Sequence, residues 1–293
     1  MSDWPPIAEA ELLERLAMDD EEFAKFGETL IARVPPRDYD ETLLARALGY
    51  PWARPEGSYR LTTAGVEPLA DLMEAERESV IHGYTHAESD RLPVLAIGSN
   101  GAPEALERKF AHFEDAEDRA VLALTGRLHD FDVGAAAQPA MYGAMPATLF
   151  PSPGTAVRAT VLWVTPAQFT QLTWSELSYR LGKLRTRFDV DETATSFDEL
   201  LVFVSRFGTF CLEGQLVALA AVPASGRTAI ALSQEELLDA AAVLTIGPGA
   251  KAEQLVQAIF EDMARIGPRF ATTVNRAALP FASERWTPFD PGR

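Results

Sequence analysis

The chain has 293 residues, of which 47% are apolar, and 26 basic side chains stand against 43 acidic ones for a formal net charge of −17. That apolar content is enough for a substantial core in one or two domains, and the charge argues against nucleic acid or an anionic membrane surface as a partner. A single cysteine, Cys211, excludes an internal disulfide and a cysteine-built zinc cluster.

No apolar run approaches the ~20 residues of a membrane span. The opening MSDWPPIAEAELLERL has neither the basic start nor the apolar block of a signal peptide. The expectation is a soluble, cytoplasmic protein. A small anionic ligand stays compatible with the charge, because distant charges are screened within about 8–10 Å.

In chain order, residues 7–33 carry apolar positions at helical spacing, with Asp19 or Asp20 as a cap in their midst, and Pro35-Pro36 ends the segment. A short helix follows over 39–48, then a proline-kinked loop, GYPWARPEG, and another helical stretch over 69–81. The N-terminal third thus reads as mostly helical. His82 and His86 stand four apart, but Gly83 lies between them and no H-E-x-x-H pattern is present, so they read as a solvated loop pair.

The segment Leu92–Gly101, LPVLAIGSNG, is a short apolar run closed by small turn formers, the pattern of a buried strand ending in a tight loop. Ser99 or Asn100 can cap the next helix, or the loop's N–H groups can hold an anion. The helix spans 102–113 with Pro103 early and Leu106, Phe110 and Phe113 on one face. Strand-like residues fill 119–133, and small residues and turns, with Tyr142 among them, fill 134–153. Gly154 closes the last turn, and 157–164 is the clearest strand.

Thr165-Pro166 starts a helix on which Phe169, Leu172, Glu176 and Tyr179 share one face. A carboxylate on an apolar stripe is costly unless paired or functional. Glu176 is therefore either a candidate site residue or an edge residue reaching water, Arg180 or Arg185. Beyond it come a basic turn, RLGKLRTRF, an acidic one, strands over 200–204 and 216–222 with a hairpin around Cys211, and helices over 233–242 and 250–265. Residues 280–293 read as an extended tail.

The strand running into Gly98-Ser99-Asn100, with Pro103-Glu104-Ala105-Leu106 behind it, resembles the opening of the gamma-glutamylcyclotransferase family. The block Gly143–Trp163, GAMPATLFPSPGTAVRATVLW, is similar to the family's second signature, and the Glu176 helix follows where the family carries its acidic catalytic residue. The likeness covers roughly residues 92–190. One departure is Ile97, which stands where the family usually has Tyr. The resemblance implies an α+β fold with a small, mixed, β-barrel-like sheet flanked by helices and a ligand cavity at its mouth. The implied layout is a helical extension over 1–88, a main domain over 89–283 and a tail over 284–293.

The implied reaction is an intramolecular aminolysis that releases 5-oxoproline from a γ-glutamyl amide or peptide, with no metal and no cofactor. Glu176 would be the general acid/base. Ile97, Gly98, Ser99, Asn100, Gly101, Tyr142 and Tyr179 would bind the substrate, a small γ-glutamyl or related amino-acid-like ligand. Burial on an apolar stripe would raise the Glu176 pKa toward that of the amine it must deprotonate. The rival is a domain of the same fold that binds a ligand or protein without turnover. Other readings are weaker. Gly98-Ser99-Asn100-Gly101 lacks the G-x-S-x-G spacing, Gly247–Lys251 lacks the phosphate-loop pattern, and His112, His129 and Cys211 read as ordinary residues.

Overall fold

The computed structural model describes residues 4, 5, 7–86 and 88–290. The chain begins with helices α1 (Ala10–Ala17), α2 (Asp20–Ile31) and α3 (Glu41–Leu48), followed by strands β1 (Tyr59–Thr62) and β2 (Gly65–Pro68) and helix α4 (Glu74–Thr85). Next come β3 (Leu92–Ala96), α5 (Pro103–Phe110), β4 (Val121–Ala135), β5 (Ala147–Val164), α6 (Pro166–Ser175), β6 (Tyr179–Val190) and β7 (Ser196–Ser205). Short strands β8 (Cys211–Leu212), β9 (Gln215–Leu219), β10 (Ala224–Ser225) and β11 (Ile230–Leu232) lead to α7 (Gln234–Thr245), α8 (Ala252–Glu261) and α9 (Met263–Thr273), and β12 (Trp286–Pro288) closes the chain.

Local chemistry accounts for the helix starts. Asp19 with Glu22, Thr165 with Gln168 and Ser233 with Glu236 form reciprocal capping boxes on α2, α6 and α7. The strands β5, β3, β7, β6 and β4 pair in that order, and β4 pairs back onto β5, closing a five-stranded barrel-like sheet. Only β3–β7 is parallel among these pairs. The result is a mixed α+β fold with helices on both sides of the sheet.

Both faces of the central strands are buried, so they read as continuous apolar runs rather than alternating ones. Val94 and Ala96 pack in one cluster with Leu12, Leu106 and Phe169 from α1, α5 and α6. Leu95 and Ile97 join a second cluster with Leu237, Val256 and Ile259 from α7 and α8. One strand thus joins two helical layers through alternate side chains.

Several local expectations are corrected. Residues 147–153, expected as turn material, are the first half of β5, and Gly154 lies inside that strand. There the β4–β5 register slips between His129 and Phe131, with positive φ at Asp130 (64°) and Gly154 (81°). The Gly154 N–H donates to Asp130 Oδ1 at 3.0 Å and ties the irregularity together. The basic "turn" RLGKLRTRF is strand β6: its exposed Arg185 and Arg187 alternate with buried Leu184, Thr186 and Phe188. Length and charge hid that period.

The β1–β2 hairpin lies in the region expected to be helical, and β1 pairs with β4. Helix α4 runs past His82 to Thr85, so that histidine is helical rather than in a loop. The helix expected over 250–265 breaks at Asp262, whose side chain accepts from the Arg265 N–H to start α9. In the tail, Trp286–Pro288 adds to β6, while residues 291–293 lie outside the described residues. Among the described residues no helix is long and apolar enough to cross a membrane.

One buried ion pair anchors the barrel's flank. Asp132 on β4 is fully buried, and it accepts Arg227 Nε and Nη2 at 2.7 and 2.8 Å. Asp132→Asn keeps the shape but leaves Arg227 without its countercharge, which should cost about 3–5 kcal/mol. Urea unfolding measures this. The double replacement Asp132→Leu/Arg227→Met should recover most of the loss, because it removes both charges.

Candidate functional site

A cavity of about 470 Å³ opens beside the end of β3. It is lined by Ile97, Gly98, Ser99 and Asn100 after β3, by Tyr142 in the β4–β5 connection, and by Glu176 and Tyr179 at the α6–β6 junction. Those seven sequence-predicted positions come together. Gly101 does not: it lines a neighbouring cavity, and its carbonyl accepts the Tyr59 hydroxyl at 3.1 Å.

Glu176 reaches the cavity differently from the expectation. It is the C-cap of α6 (φ −116°, ψ 24°), and Tyr179 already belongs to β6. The helical face shared by Phe169, Leu172, Glu176 and Tyr179 is therefore corrected to a helix end and a strand start. Nor does the carboxylate sit on an apolar stripe. Its Oε1 accepts Asn100 Nδ2 at 3.0 Å and lies 3.4 Å from Lys109 Nζ, and both charged side chains are only 15% exposed. Oε2 has no hydrogen-bond partner among the described residues. Among the described residues Glu176 is also the one acidic residue lining the cavity.

Lys109 on α5 is the residue that the sequence reading passed over. Besides Glu176, its ammonium donates to Asn100 Oδ1 at 2.6 Å and Ser175 Oγ at 2.7 Å, so its three donors are all engaged. Burial pulls its pKa below the ordinary lysine value, and Glu176 opposes that shift. A signal was available. Ala102, Ala105, Leu106, Lys109, Phe110 and Phe113 follow 3-4 helical spacing, which puts a cation on the buried stripe of α5.

The Gly98–Gly101 segment is a 3-10 turn closed by the Gly101 N–H to Gly98 O (3.0 Å) and the Ala102 N–H to Ser99 O (2.9 Å). Ala102, not Ser99 or Asn100, caps α5, and the Asn100 side chain serves the Lys109–Glu176 pair instead. The Gly101 N–H is thus spent inside the turn.

Tyr50 arrives from the proline-kinked loop. Its hydroxyl oxygen accepts the Ala147 N–H at 2.8 Å, while the Tyr179 hydroxyl donates to the Ala147 carbonyl at 2.9 Å. Tyr50 stacks on Tyr142 with ring centroids 5.9 Å apart, and Trp52 leans on Tyr142 at 5.2 Å. Burial pushes the Tyr50 pKa up to about 12. Tyr142 and Tyr179 are raised well above the ordinary tyrosine value, chiefly by burial, then by Tyr50 and the Glu176 charge. All three phenols stay protonated at neutral pH and remain hydrogen-bond donors. Among the described residues the cavity therefore presents one carboxylate, one ammonium, the Arg108 guanidinium, the amides of Asn100 and Gln138, and phenols inside aromatic and apolar walls. That composition suits a small polar ligand.

Other singled-out residues lie elsewhere. His112 is exposed, His129 Nε2 is 2.8 Å from Asp189 Oδ2, and buried Cys211 has its thiol pKa raised by burial. Among the described residues no three His, Cys, Asp or Glu side chains are grouped to hold a metal ion.

No protein-family model matches the chain, and no curated protein matches it. Among solved structures, the chain is similar to one titled "Gamma-glutamyl cyclotransferase", with a TM-score of 0.31 and 17% identity over 39% of this chain and 66% of that one. It is also similar to an uncharacterized protein from Homo sapiens, with a TM-score of 0.30 and 16% identity over 40% of this chain and 68% of that one. The chain spans just under two thirds of the first.

Gly98 is where the turn and Tyr50 meet most tightly. A Cβ built on Gly98 would lie 2.4 Å from the Tyr50 hydroxyl oxygen and 3.2 Å from the Ala147 Cβ. Gly98→Ala should therefore destabilise the fold by about 1–3 kcal/mol, the usual cost of overpacking. Tyr50→Phe alone should cost about 1 kcal/mol by orphaning the Ala147 N–H. In the double variant the hydroxyl is gone, so denaturant unfolding should show a total clearly smaller than the sum. Strict additivity would mean that the two do not touch.

Proposed function

We propose that the chain is a gamma-glutamylcyclotransferase-like enzyme that closes 5-oxoproline from a γ-glutamyl amide or peptide and releases an amine or amino acid. The observation that carries the reading is the meeting of Glu176 with the Gly98–Asn100 turn, residues 76 apart in sequence, inside one cavity of about 470 Å³. That size falls in the range of about 300–1,000 Å³ common for small-molecule sites.

In this reading the substrate α-amine attacks its own γ-carbonyl carbon. A ring C–N bond forms, the carbonyl oxygen takes up negative charge, and the old amide C–N bond then breaks. Glu176 takes a proton from the α-ammonium, which frees the amine that attacks, and returns it to the leaving nitrogen; the ring nitrogen's second surplus proton follows the same route, so the leaving group departs as an ammonium and the carboxylate ends as it began. Oε2, which has no hydrogen-bond partner among the described residues, is the oxygen left free for this. Tyr142 and Tyr179, both protonated, line the space where the substrate's oxygens would sit, together with Ile97, Gly98, Ser99 and Asn100. Holding amine and carbonyl in ring-closing geometry supplies much of the barrier reduction. Gly101 has no part in it, because it faces the other cavity.

A second reading, ligand binding without turnover, is favoured by one feature. The single carboxylate in the cavity already shares Oε1 with the Lys109 ammonium. The two readings separate in one experiment on the full chain: a panel of γ-glutamyl amides and dipeptides, with 5-oxoproline followed by chromatography and binding by calorimetry. The enzyme reading expects 5-oxoproline from at least one compound. Glu176→Gln should then lower turnover by ~10² or more while a non-reacting γ-glutamyl analogue binds about as before. Glu104→Gln, on an exposed side chain that pairs with Arg46 and Arg108, should leave turnover unchanged. Calorimetric binding with no product from any compound would establish the second reading.

A further inference from the structure

The neighbouring cavity, about 300 Å³, touches the same turn through Gly101 and is lined by Arg54, Tyr59, Thr125, Arg158 and Thr160, among others. Arg54 is the unusual member. Its Nη2 donates to the carbonyls of Ile97 (3.1 Å) and Gly98 (2.8 Å), yet its Nε is sealed from solvent with no hydrogen-bond partner. Nη1 also has no hydrogen-bond partner among the described residues, and it is not among the sealed atoms. A Cβ built on Gly101 would lie 3.3 Å from Cζ, Nε and Nη1 alike, so the guanidinium lies face-on against that glycine.

Among the described residues no carboxylate pairs with Arg54. Other deeply set arginines in this chain do find one. Arg91, Arg206 and Arg227, with side chains 4%, 3% and 13% exposed, meet Glu117, Asp20 and Asp132. Removing a guanidinium from water without a countercharge is costly, and burial does pull the Arg54 pKa down. Arg37 and Arg77 are likewise half-buried with a sealed Nε that has no partner, but of these three only Arg54 lines this cavity. The cavity supplies the room for a countercharge; Glu56, the acidic residue on its wall, is exposed, while Thr160 and Arg158 are groups suited to an anion. Thr160 is buried, and its hydroxyl makes no hydrogen bond to another of the described residues; Arg158 stands on the wall, paired with Asp191 at 2.7 Å.

We propose that this second cavity binds a small anion, a carboxylate or phosphate group of a small molecule, on Arg54 Nη1 with the Thr160 hydroxyl beside it. A planar guanidinium fork is the side chain best matched to either oxyanion. The site is independent of the cyclotransferase reading, and its test reads no activity.

The full chain, labelled with ¹⁵N, is titrated in separate arms with inorganic phosphate and with succinate, against sodium chloride at matched ionic strength. The arginine Nε–H resonance that disappears in Arg54→Lys reports the site. The expected result is a saturable shift of that resonance with phosphate, succinate or both, absent with chloride. The arm that responds tells a phosphate from a carboxylate ligand. Calorimetry on Arg54→Lys should show affinity reduced by about tenfold or more. Because Arg54 also holds the turn, Thr160→Val provides a second variant that leaves those carbonyl bonds intact, and it too should weaken binding. No movement of the resonance up to ~10 mM of either anion overturns the proposal. So does binding that is undiminished in both variants.

Discussion

The arrangement of the main cavity depends on one three-way contact, among Asn100, Lys109 and Glu176. Asn100 gives its carbonyl oxygen to Lys109 and its amide to Glu176, and Lys109 reaches Glu176 as well. Each partner comes from a different piece of chain: the turn after β3, the last turn of α5 and the end of α6. A glutamate and a lysine that are both mostly withdrawn from water are tolerable only when paired and bonded in this way. The contact therefore sets where α6 stops relative to the turn, and hence where the cavity's carboxylate stands. The asparagine matters as much as the charges, because its two ends satisfy a donor and an acceptor at once.

What was legible in the sequence follows from how local each cause is. The caps of α2, α6 and α7 were visible because a Ser, Thr or Asp three residues before a Glu or Gln is a local chemical device. The apolar run of β3 and its small-residue turn were visible for the same reason. Strand β6 was missed because its exposed face is nearly all basic, so composition masked a period of two. Glu176 was identified as a candidate, but on the wrong element. Helical spacing continues to match by chance for a turn beyond Ser175, where the chain actually changes from helix to strand. Tyr50 and Arg54 were out of reach, since nothing near them in sequence says that their loop lies against Gly98 and Gly101. The distances that matter there span more than forty residues.

The same turn is pressed from two sides, and this explains its glycines. At Gly98 the Tyr50 hydroxyl occupies the space a Cβ would need, and at Gly101 a Cβ would press on the Arg54 guanidinium at 3.3 Å. Tyr50 and Arg54 belong to one proline-kinked loop, so that loop supports the turn from both directions. Backbone groups that a free turn would offer to a ligand are partly consumed. Arg54 takes the carbonyls of Ile97 and Gly98, and the turn's own closure takes the Gly101 and Ala102 N–H groups. On the proposed function, recognition in the main cavity therefore falls more on side chains, namely Glu176, Asn100 and the phenols, than on a backbone cradle.

The N-terminal helices belong to this account as well. Phe23, Leu30 and Ile31 of α2 line the main cavity, so its wall is incomplete without them. Their attachment to the barrel is electrostatic as well as apolar. Arg206, 3% exposed, donates to the Met18 carbonyl at 2.8 Å and reaches Asp20 at 3.3 Å, and Arg180 of β6 grips the same Asp20. Above this, Phe23 packs on Phe207 at 6.2 Å and under the Arg206 guanidinium at 4.8 Å. Burial and the like charge of Arg180 lower the Arg206 pKa to about 10, still far above neutrality, so the clamp stays charged at physiological pH. Asp20 sits in the first turn of α2, where a negative charge is also favoured by the helix dipole. One acidic residue thus anchors the start of the helix and the arginines of the barrel together. The cavity's outer wall is set by that anchor, and its chemistry by the Asn100–Lys109–Glu176 contact on the inner side.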